Sequence, residues 1–440
     1  MKISLHIKKN LFLSFPIMFS QLGHITVGVV DSIMVGKLGV TQLAAVSLSS
    51  SIFGFVLLFC IGLSFGITPL IASSNHNQKY ISRIFFHGLV MNILFSIFLI
   101  FLVFFFKKYL HYLGQDYDVL NYTFPYLDLI CLSLIPLILF QTFKQFIEGL
   151  GFTKPAMYIS IFSNIINIIL NFILIFGLFG FPRLEIIGAG YATLISRIIM
   201  FILILIYCLL SKKFSKYIFS IKLLFHTKSF KKIFNIGFPS GLQYIFEVGA
   251  FSVATVMIGT FGAKALAAHQ IALNLASISY MTISGISSSA MISLGYFYGK
   301  NDHEELRKSG HSNFYLALIL MSVFALIFIF CRNLLPQLYI TDSIVIEIAS
   351  TLLIIAGLFQ IPDGIQAVGL GVLRGIRDTK VPTFITFVCY WVFAIPLSYY
   401  LGFILELGVV GIWVSLFFAL TFAAISHFIR FNYLTNFIKL

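Results

Sequence analysis

Residues 238–274 read FPSGLQYIFEVGAFSVATVMIGTFGAKALAAHQIALN, and this stretch decides how the chain is organised. It is apolar, long enough for a membrane helix, and carries one carboxylate, Glu247. A second copy, FPIMFSQLGHITVGVVDSIMVGKLGVTQLAAVSL, begins at Phe15 and aligns with it without a gap. The copies share the Phe-Pro pair, two spaced glycines and a Leu-Ala-Ala triplet. Self-similarity at such a long spacing predicts that the chain is an internal duplication.

The composition is that of an integral membrane protein. Of the 440 residues, 59% are hydrophobic and only 10% are charged, whereas soluble domains carry roughly 25% charge. Apolar runs separated by polar or Gly/Pro turns are each about the length that crosses a bilayer. We therefore predict an all-α membrane protein with twelve transmembrane helices. The predicted spans are 11–35, 43–73, 84–106, 119–141, 156–178, 188–210, 233–258, 266–297, 312–331, 344–370, 383–403 and 408–428.

The duplication divides these spans into two lobes of six helices. The predicted domains are an amino-terminal lobe (1–210), a basic linker (211–232) and a carboxyl-terminal lobe (233–440). Because each lobe has an even number of spans, both enter the membrane in the same direction, which predicts a pseudo-two-fold axis along the membrane normal.

Most of the 29 lysines and arginines fall in the segments on one side of the predicted membrane. The positive-inside rule then places both termini in the cytoplasm. Topology alone accounts for the net charge of +14, and no nucleic-acid partner is needed. The linker SKKFSKYIFSIKLLFHTKSFKK also suits a segment lying on anionic lipid headgroups, although topology charge is the favoured interpretation.

Four carboxylates lie inside predicted spans: Asp31, Asp128, Glu247 and Asp363. A charge within the membrane costs several kcal/mol, so each needs a partner or a function. Asp128 is close to the outer end of its helix, which favours a structural ion pair. For the other three, cation handling is favoured over a structural hydrogen bond. The two halves differ at these positions, since His24 aligns with Glu247 and Ala254 aligns with Asp31.

Three asparagines, Asn164, Asn167 and Asn171, repeat at helical spacing in the fifth span and share one face. With Asp31 and Thr193 they would form an oxygen-rich pocket suited to a monovalent cation. Interhelical hydrogen bonding is an equally good interpretation of the spacing.

Some other polar residues in the spans are less informative. His24 fits a satisfied polar residue better than a proton carrier. His269 and Gln270 could be either structural or functional, and Arg197 is left unassigned.

Several motifs, in order, resemble those of the multidrug and toxic compound extrusion (MATE) family. They are VDSIMVGKLG with LAAVSL, EGLGFTKPAM, the IINIILN stripe, AAHQIALN and GVLRGIRDTKVP. Glu247 and Asp363 point to the NorM-like branch. The resemblance covers nearly the whole chain. It implies two six-helix lobes, a V-shaped cleft, and export of cationic or amphipathic drugs in exchange for Na⁺ or H⁺.

The resemblance also implies roles for individual residues. Asp31, Asn167, Asn171 and Thr193 match an amino-lobe cation site, and Glu247 with Asp363 match the acids of the carboxyl lobe. Na⁺ would bind at either set. Candidate substrate contacts are His24, Gln270 and Phe359; Phe359 stands where some NorM-like proteins have an ion-binding tyrosine.

The sequence thus predicts a secondary antiporter of the bacterial inner membrane. We expect a monomer surrounded by membrane lipids that needs no cofactor besides its coupling ion. The alternative is a flippase for lipid-linked saccharides, which would need cationic residues in the cleft for a diphosphate. An enzyme is not predicted, because the spans contain no HExxH or P-loop motif.

Overall fold

The computed structural model describes residues 2–113, 116–220 and 225–437. These residues are mostly helical, and no strand occurs among them. Twelve segments of the described chain are long and apolar enough to cross a membrane. Their outer faces expose large apolar side chains, such as Leu94, Phe98 and Phe101 at 54%, 54% and 61%, as expected of a surface in contact with lipid. The predicted all-α fold with twelve transmembrane helices is confirmed.

The amino-terminal unit comprises Phe19–Gly241. Its buried core is formed by two clusters of Phe, Ile and Leu side chains. A short helix, α9, follows its last membrane helix. The helices are α1 (Lys2–Gly36), α2 (Val40–Ser64) continued by α3 (Thr68–Ala72), α4 (Gln78–Phe106), α5 (Tyr117–Leu132) continued by α6 (Leu134–Gly149), α7 (Lys154–Phe176), α8 (Glu185–Leu210) and α9 (Lys212–Phe219).

The carboxyl-terminal unit comprises Met1–Met18 together with Leu242–Leu440. Its eleventh membrane span is interrupted by two π-helical segments, Val388–Ala394 and Tyr400–Ile404. Such segments are often found at functional sites. The helices are α10 (Thr227–Gly259), α11 (Ala263–Gly299), α12 (His303–Phe330), α13 (Ser343–Gly375), α14 (Lys380–Phe387), α15 (Ile395–Tyr399) and α16 (Gly408–Phe437).

The units differ from the predicted domains in how they divide α1 and α10. The first half of α1 belongs to the carboxyl-terminal unit, where Asn10 donates to Ser312 Oγ at 2.7 Å. The first half of α10 belongs to the amino-terminal unit, where Gly237 packs against the backbone of Leu63. Phe15 aligns with Phe238, so the divisions after Met18 and after Gly241 fall at equivalent positions of the repeat. Chain order alone gives no signal of this exchange.

Helix ends extend beyond the predicted spans. The first and seventh spans were predicted to begin at residues 11 and 233, whereas α1 and α10 begin at Lys2 and Thr227. Hydropathy marks only the part of a helix that lies in lipid, and the lysine-rich turns before it remain helical. Of the predicted linker 211–232, residues 221–224 lie outside the described residues.

Close helix packing in the carboxyl-terminal unit depends on Gly371. A Cβ at this position would lie 2.2 Å from the carbonyl oxygen of Ser287 on α11. We expect Gly371→Ala to lower the stability of the protein by about 1–3 kcal/mol, because the helices must separate. Thermal unfolding in detergent measures this loss. Gly54→Ala on α2 is the matched control, because nothing lies within 4 Å of its added Cβ. Equal unfolding midpoints for the two variants would contradict the packing argument.

Candidate functional site

The asparagine stripe of α7 faces the carboxylate of α1 in the amino-terminal unit. Asn167 and Asn171 are 2% and 0% exposed, and Asn171 Nδ2 donates to Asn167 Oδ1 at 3.1 Å. The same Nδ2 donates to Asp31 Oδ1. The structure therefore brings together three of the four residues assigned to an amino-lobe cation site.

The fourth residue, Thr193 of α8, joins this network through its neighbour. Asn167 Nδ2 donates to Ser196 Oγ at 3.3 Å, and Ser196 Oγ donates to the carbonyl oxygen of Thr193 at 3.0 Å. Two oxygens here, Asn171 Oδ1 and Thr193 Oγ1, are buried and have no hydrogen-bond partner among the described residues. Buried polar atoms are rarely left unsatisfied. Unpartnered oxygens beside a carboxylate provide the ligands that a hard cation prefers.

Arg197, which the sequence left unassigned, lies beside this network. Its Nη1 donates to Ser133 Oγ at 2.6 Å, and its guanidinium lies 5.2 Å from the ring centroid of Phe53. Its charge also acts on Asp31. Arg197 is therefore anchored by polar and cation–π contacts and makes no ion pair within 4 Å among the described residues.

Asp128 has a direct ionic partner. Lys107 Nζ lies 2.5 and 2.7 Å from its two carboxylate oxygens. Both side chains are partly exposed. This geometry fits the structural ion pair favoured from the sequence.

His24 does not join the asparagine network. It is exposed on α1, seven residues before Asp31. Lys144 and Arg197 act on it electrostatically. Within the described chain, His24 thus makes no hydrogen bond to the cation network, and its role as a substrate contact stays a prediction.

The carboxyl-terminal unit holds the second pair of acids. Glu247 of α10 and Asp363 of α13 are each 6% exposed, and their charges repel one another. Neither forms an ion pair within the described part of the chain. Gln366, one turn beyond Asp363, lies near the carboxylate of Glu247, and its buried side-chain amide makes no hydrogen bond among the described residues. Two buried acids without an ionic partner form a site that favours binding of a proton or a cation.

Polar residues that the sequence did not single out surround these acids. Arg374 is only 5% exposed and donates through Nε and Nη2 to Gln243 Oε1, at 3.2 and 2.6 Å. Gln243 Nε2 donates in turn to Thr383 Oγ1 at 3.0 Å. Gln243 and Glu247 are one turn apart on α10. The guanidinium of Arg374, which is bound to Gln243, is therefore near enough to act electrostatically on Glu247. Only the helical spacing from Glu247 could have indicated Gln243. Arg374 lies in the motif GVLRGIRDTKVP but beyond the predicted span 344–370.

Two tyrosines complete the surroundings of the acids. Tyr280 of α11 and Tyr390 of the first π-helical segment lie close enough to interact electrostatically with both Glu247 and Asp363. The Tyr390 hydroxyl is buried with no hydrogen-bond partner among the described residues. No sequence motif marked either tyrosine.

His269 and Phe359 are part of the core of the carboxyl-terminal unit. Trp413 Nε1 donates to His269 Nδ1 at 3.1 Å, and Thr255 Oγ1 lies 2.9 Å from His269 Nε2. His269 is therefore a satisfied structural residue. Phe359 is 2% exposed and stacks on Trp413, which does not fit the predicted substrate contact. Gln270, the neighbour of His269, is exposed.

In the described chain, twelve membrane-length helices enclose buried amides and carboxylates, and these features define the class of membrane transporters. No group of three His, Cys, Asp or Glu side chains capable of holding a metal occurs among the described residues.

Comparison with known proteins identifies the family. A family model described as MatE matches residues 16–173 and 239–400, one segment in each half of the duplication. The chain is 31% identical to "Multidrug resistance protein NorM" of Photobacterium profundum, over 97% of this chain and 95% of that protein. It is 32% identical to "Multidrug resistance protein MdtK" of Yersinia pseudotuberculosis, over 96% and 94%. The chain belongs to the MatE family, which confirms the resemblance drawn from its motifs.

A solved structure shows the same fold. It is described as the "Outward-facing conformation of a multidrug resistance MATE family transporter of the MOP superfamily". It superimposes with a TM-score of 0.91 at 19% identity, covering 99% of this chain and 97% of the other.

Proposed function

We propose that this protein exports cationic or amphipathic drugs from the cell in exchange for Na⁺ or H⁺. Its relatives NorM and MdtK are named multidrug resistance proteins. Acids within the membrane spans of each unit supply sites at which a cation can bind. The comparisons give no support to the alternative of a lipid-linked saccharide flippase.

The observation that carries the proposal is the network of Asp31, Asn167 and Asn171. Asn171 is held in place by its hydrogen bond to Asp31. The side-chain carbonyl oxygen of Asn171 and the hydroxyl of Thr193 have no hydrogen-bond partners among the described residues. A proton requires one acceptor, whereas Na⁺ requires several oxygen ligands. The arrangement therefore supports Na⁺ as the ion bound in the amino-terminal unit.

Glu247 and Asp363 serve the carboxyl-terminal unit. Two repelling buried acids are stabilised when one of them binds a proton, Na⁺ or a cationic drug. Ion and drug then compete to neutralise the same charge, and this competition couples their movements. A ligand shifts a conformational equilibrium only through its different affinities for the two states. Neutralising or exposing the charge of the acids would therefore change which side of the membrane the site opens to.

The setting of the protein follows the same proposal. It would act as a monomer in the bacterial inner membrane, with both termini in the cytoplasm. Transport would need no cofactor besides the coupling ion. The exposed apolar faces of the spans and the clustering of lysines on one side support this placement.

Proteoliposomes with separately imposed ion gradients test the proposal. We expect a Na⁺ gradient alone, without a pH difference, to drive ethidium transport against its own gradient. If only a pH gradient drives transport, antiport stands and the Na⁺ assignment in the amino-terminal unit is wrong. If neither gradient has an effect, the proposed function itself is wrong.

A further inference from the structure

One end of the amino-terminal unit carries an unusual concentration of positive charge. We call it the basic end; it is formed by α9 and by the first turns of α4, α7 and α10. All of its exposed charged side chains within the described residues are cationic. They are Lys79, Arg83, Lys154, Lys212, Lys213, Lys216, Lys228, Lys231 and Lys232.

Acidic residues of this unit do not offset these cations. Asp31, Asp116, Asp118, Asp128 and Glu185 are all placed toward the opposite ends of its helices. Glu148 is at the basic end but is 2% exposed, and its carboxylate lies 4.0 Å from the buried amine of Lys144. Within the described part of the unit, the surface of the basic end therefore presents positive charge alone.

The equivalent end of the carboxyl-terminal unit is different. Lys308 lies 3.3 Å from Glu305, and Arg430 lies 2.8 Å from Asp378. Cations at that end are thus partly neutralised within the protein. The positive-inside rule asks for cations on the cytoplasmic side of both halves of the duplication. It therefore does not explain why, among the described residues, only one half has exposed acids beside its cations at this end.

Helix α9 holds three of the lysines in a fixed orientation. Phe214 and Tyr217 are 0% and 4% exposed, and their rings pack against Phe146 with centroid distances of 6.1 and 5.9 Å. Gln78 Nε2 also donates to the carbonyl oxygen of Lys216 at 3.0 Å. The apolar face of α9 is therefore already covered by the protein, and the opposite face presents the lysines.

Aromatic side chains are interleaved with the exposed lysines. Phe219 and Phe225 are 76% and 58% exposed, and the Lys213 amine lies 5.1 Å from the ring centroid of Phe152. Exposed aromatic rings beside lysines at the ends of membrane helices are typical of the headgroup region. A soluble anion would need the charge but would gain little from these apolar rings.

We propose that the basic end is a binding surface for the headgroups of anionic phospholipids, with α9 as its rigid centre. The interaction is independent of drug or coupling ion and so goes beyond the transport function. Each basic residue near an anionic membrane surface strengthens binding by roughly fivefold, so three lysines acting together produce a clear preference.

Native mass spectrometry of the full-length protein in detergent tests this proposal. The probe is an equal mixture of phosphatidylglycerol and phosphatidylcholine with matched acyl chains, and the ratio of the two bound lipids is measured. We expect Lys212→Gln/Lys213→Gln/Lys216→Gln to lower the ratio by roughly tenfold or more. Added salt should weaken the preference of the unsubstituted protein, because the headgroup contacts are exposed to solvent.

Two further variants make the result decisive. Lys300→Gln/Arg307→Gln/Lys380→Gln removes three exposed charges from the carboxyl-terminal unit. Because exposed acids such as Glu304 share that surface, this variant should lower the ratio clearly less than the glutamine variant of α9 does. Lys212→Arg/Lys213→Arg/Lys216→Arg retains the charge and should retain the preference. An equal loss in the control, a loss in the arginine variant, or no loss in the glutamine variant of α9 would each overturn the proposal.

Discussion

The Glu247→Gln and Asp363→Asn variants are each expected to export ethidium against its gradient roughly 10- to 100-fold more slowly than the unsubstituted protein. The two acids lie in one buried cluster, and neither has an ionic partner in the described chain. An amide keeps the shape of the side chain but cannot exchange a cation or a proton. The variants therefore lose the free energy that couples ion to drug, while the fold is kept.

Asp128→Asn is the matched control for this prediction. Asp128 is also a carboxylate within a span, but it is partly exposed and paired with Lys107. We expect its export rate to stay within about twofold of the unsubstituted rate. Downhill ethidium equilibration shows that the cluster variants are folded. Normal uphill export by both cluster variants would refute the assigned role of these acids.

Asn171→Leu is expected to weaken Na⁺ binding by at least roughly tenfold, because it removes an oxygen ligand and the hydrogen bond to Asp31. Asp31→Asn should abolish Na⁺ binding in the amino-terminal unit. Isothermal titration with Na⁺ in the Glu247→Gln/Asp363→Asn background isolates this unit from the other acids. Leucine resembles asparagine in size, so the helix packing is preserved.

Asn164→Leu provides the same chemical change on the same helix. Asn164 lies outside the hydrogen-bonded network of Asp31, Asn167 and Asn171, and its Nδ2 has no partner among the described residues. We expect its Na⁺ affinity to change by less than about threefold. Equal losses for the two leucine variants would show that the stripe is structural, which is the other interpretation its spacing allowed.

The membrane fold could be predicted because hydropathy is a property of each helix by itself. The duplication was visible because Phe15-Pro16 and Phe238-Pro239 repeat in aligned stretches. The division of α1 after Met18 could not be predicted. It depends on which neighbours pack against each half of a long helix, and hydropathy contains no information about neighbours.

The candidate sites show the same limit. The spacing of Asn167 and Asn171 was sufficient to place them on one face, because helix geometry fixes it. Arg374 was missed because its helix continues through Gly375, beyond the apolar run that ends near residue 370. Tyr390 was missed because its proximity to Glu247 depends on tertiary contacts of an irregular π-helical segment. The burial of Phe359 could not be predicted, since an aromatic residue in a span gives no sign of whether it faces the core or a substrate.

Reciprocal exchange is the central claim, and it can be measured directly. Proteoliposomes without any initial ion gradient are given an inward ethidium gradient, while internal Na⁺ and pH indicators follow the ions. Because coupling is reciprocal, the unsubstituted protein should drive Na⁺ or H⁺ out as ethidium enters, and the Asp31→Asn/Glu247→Gln/Asp363→Asn variant should not. Ethidium entry at the full rate through the unsubstituted protein, with no movement of either ion, would contradict the account.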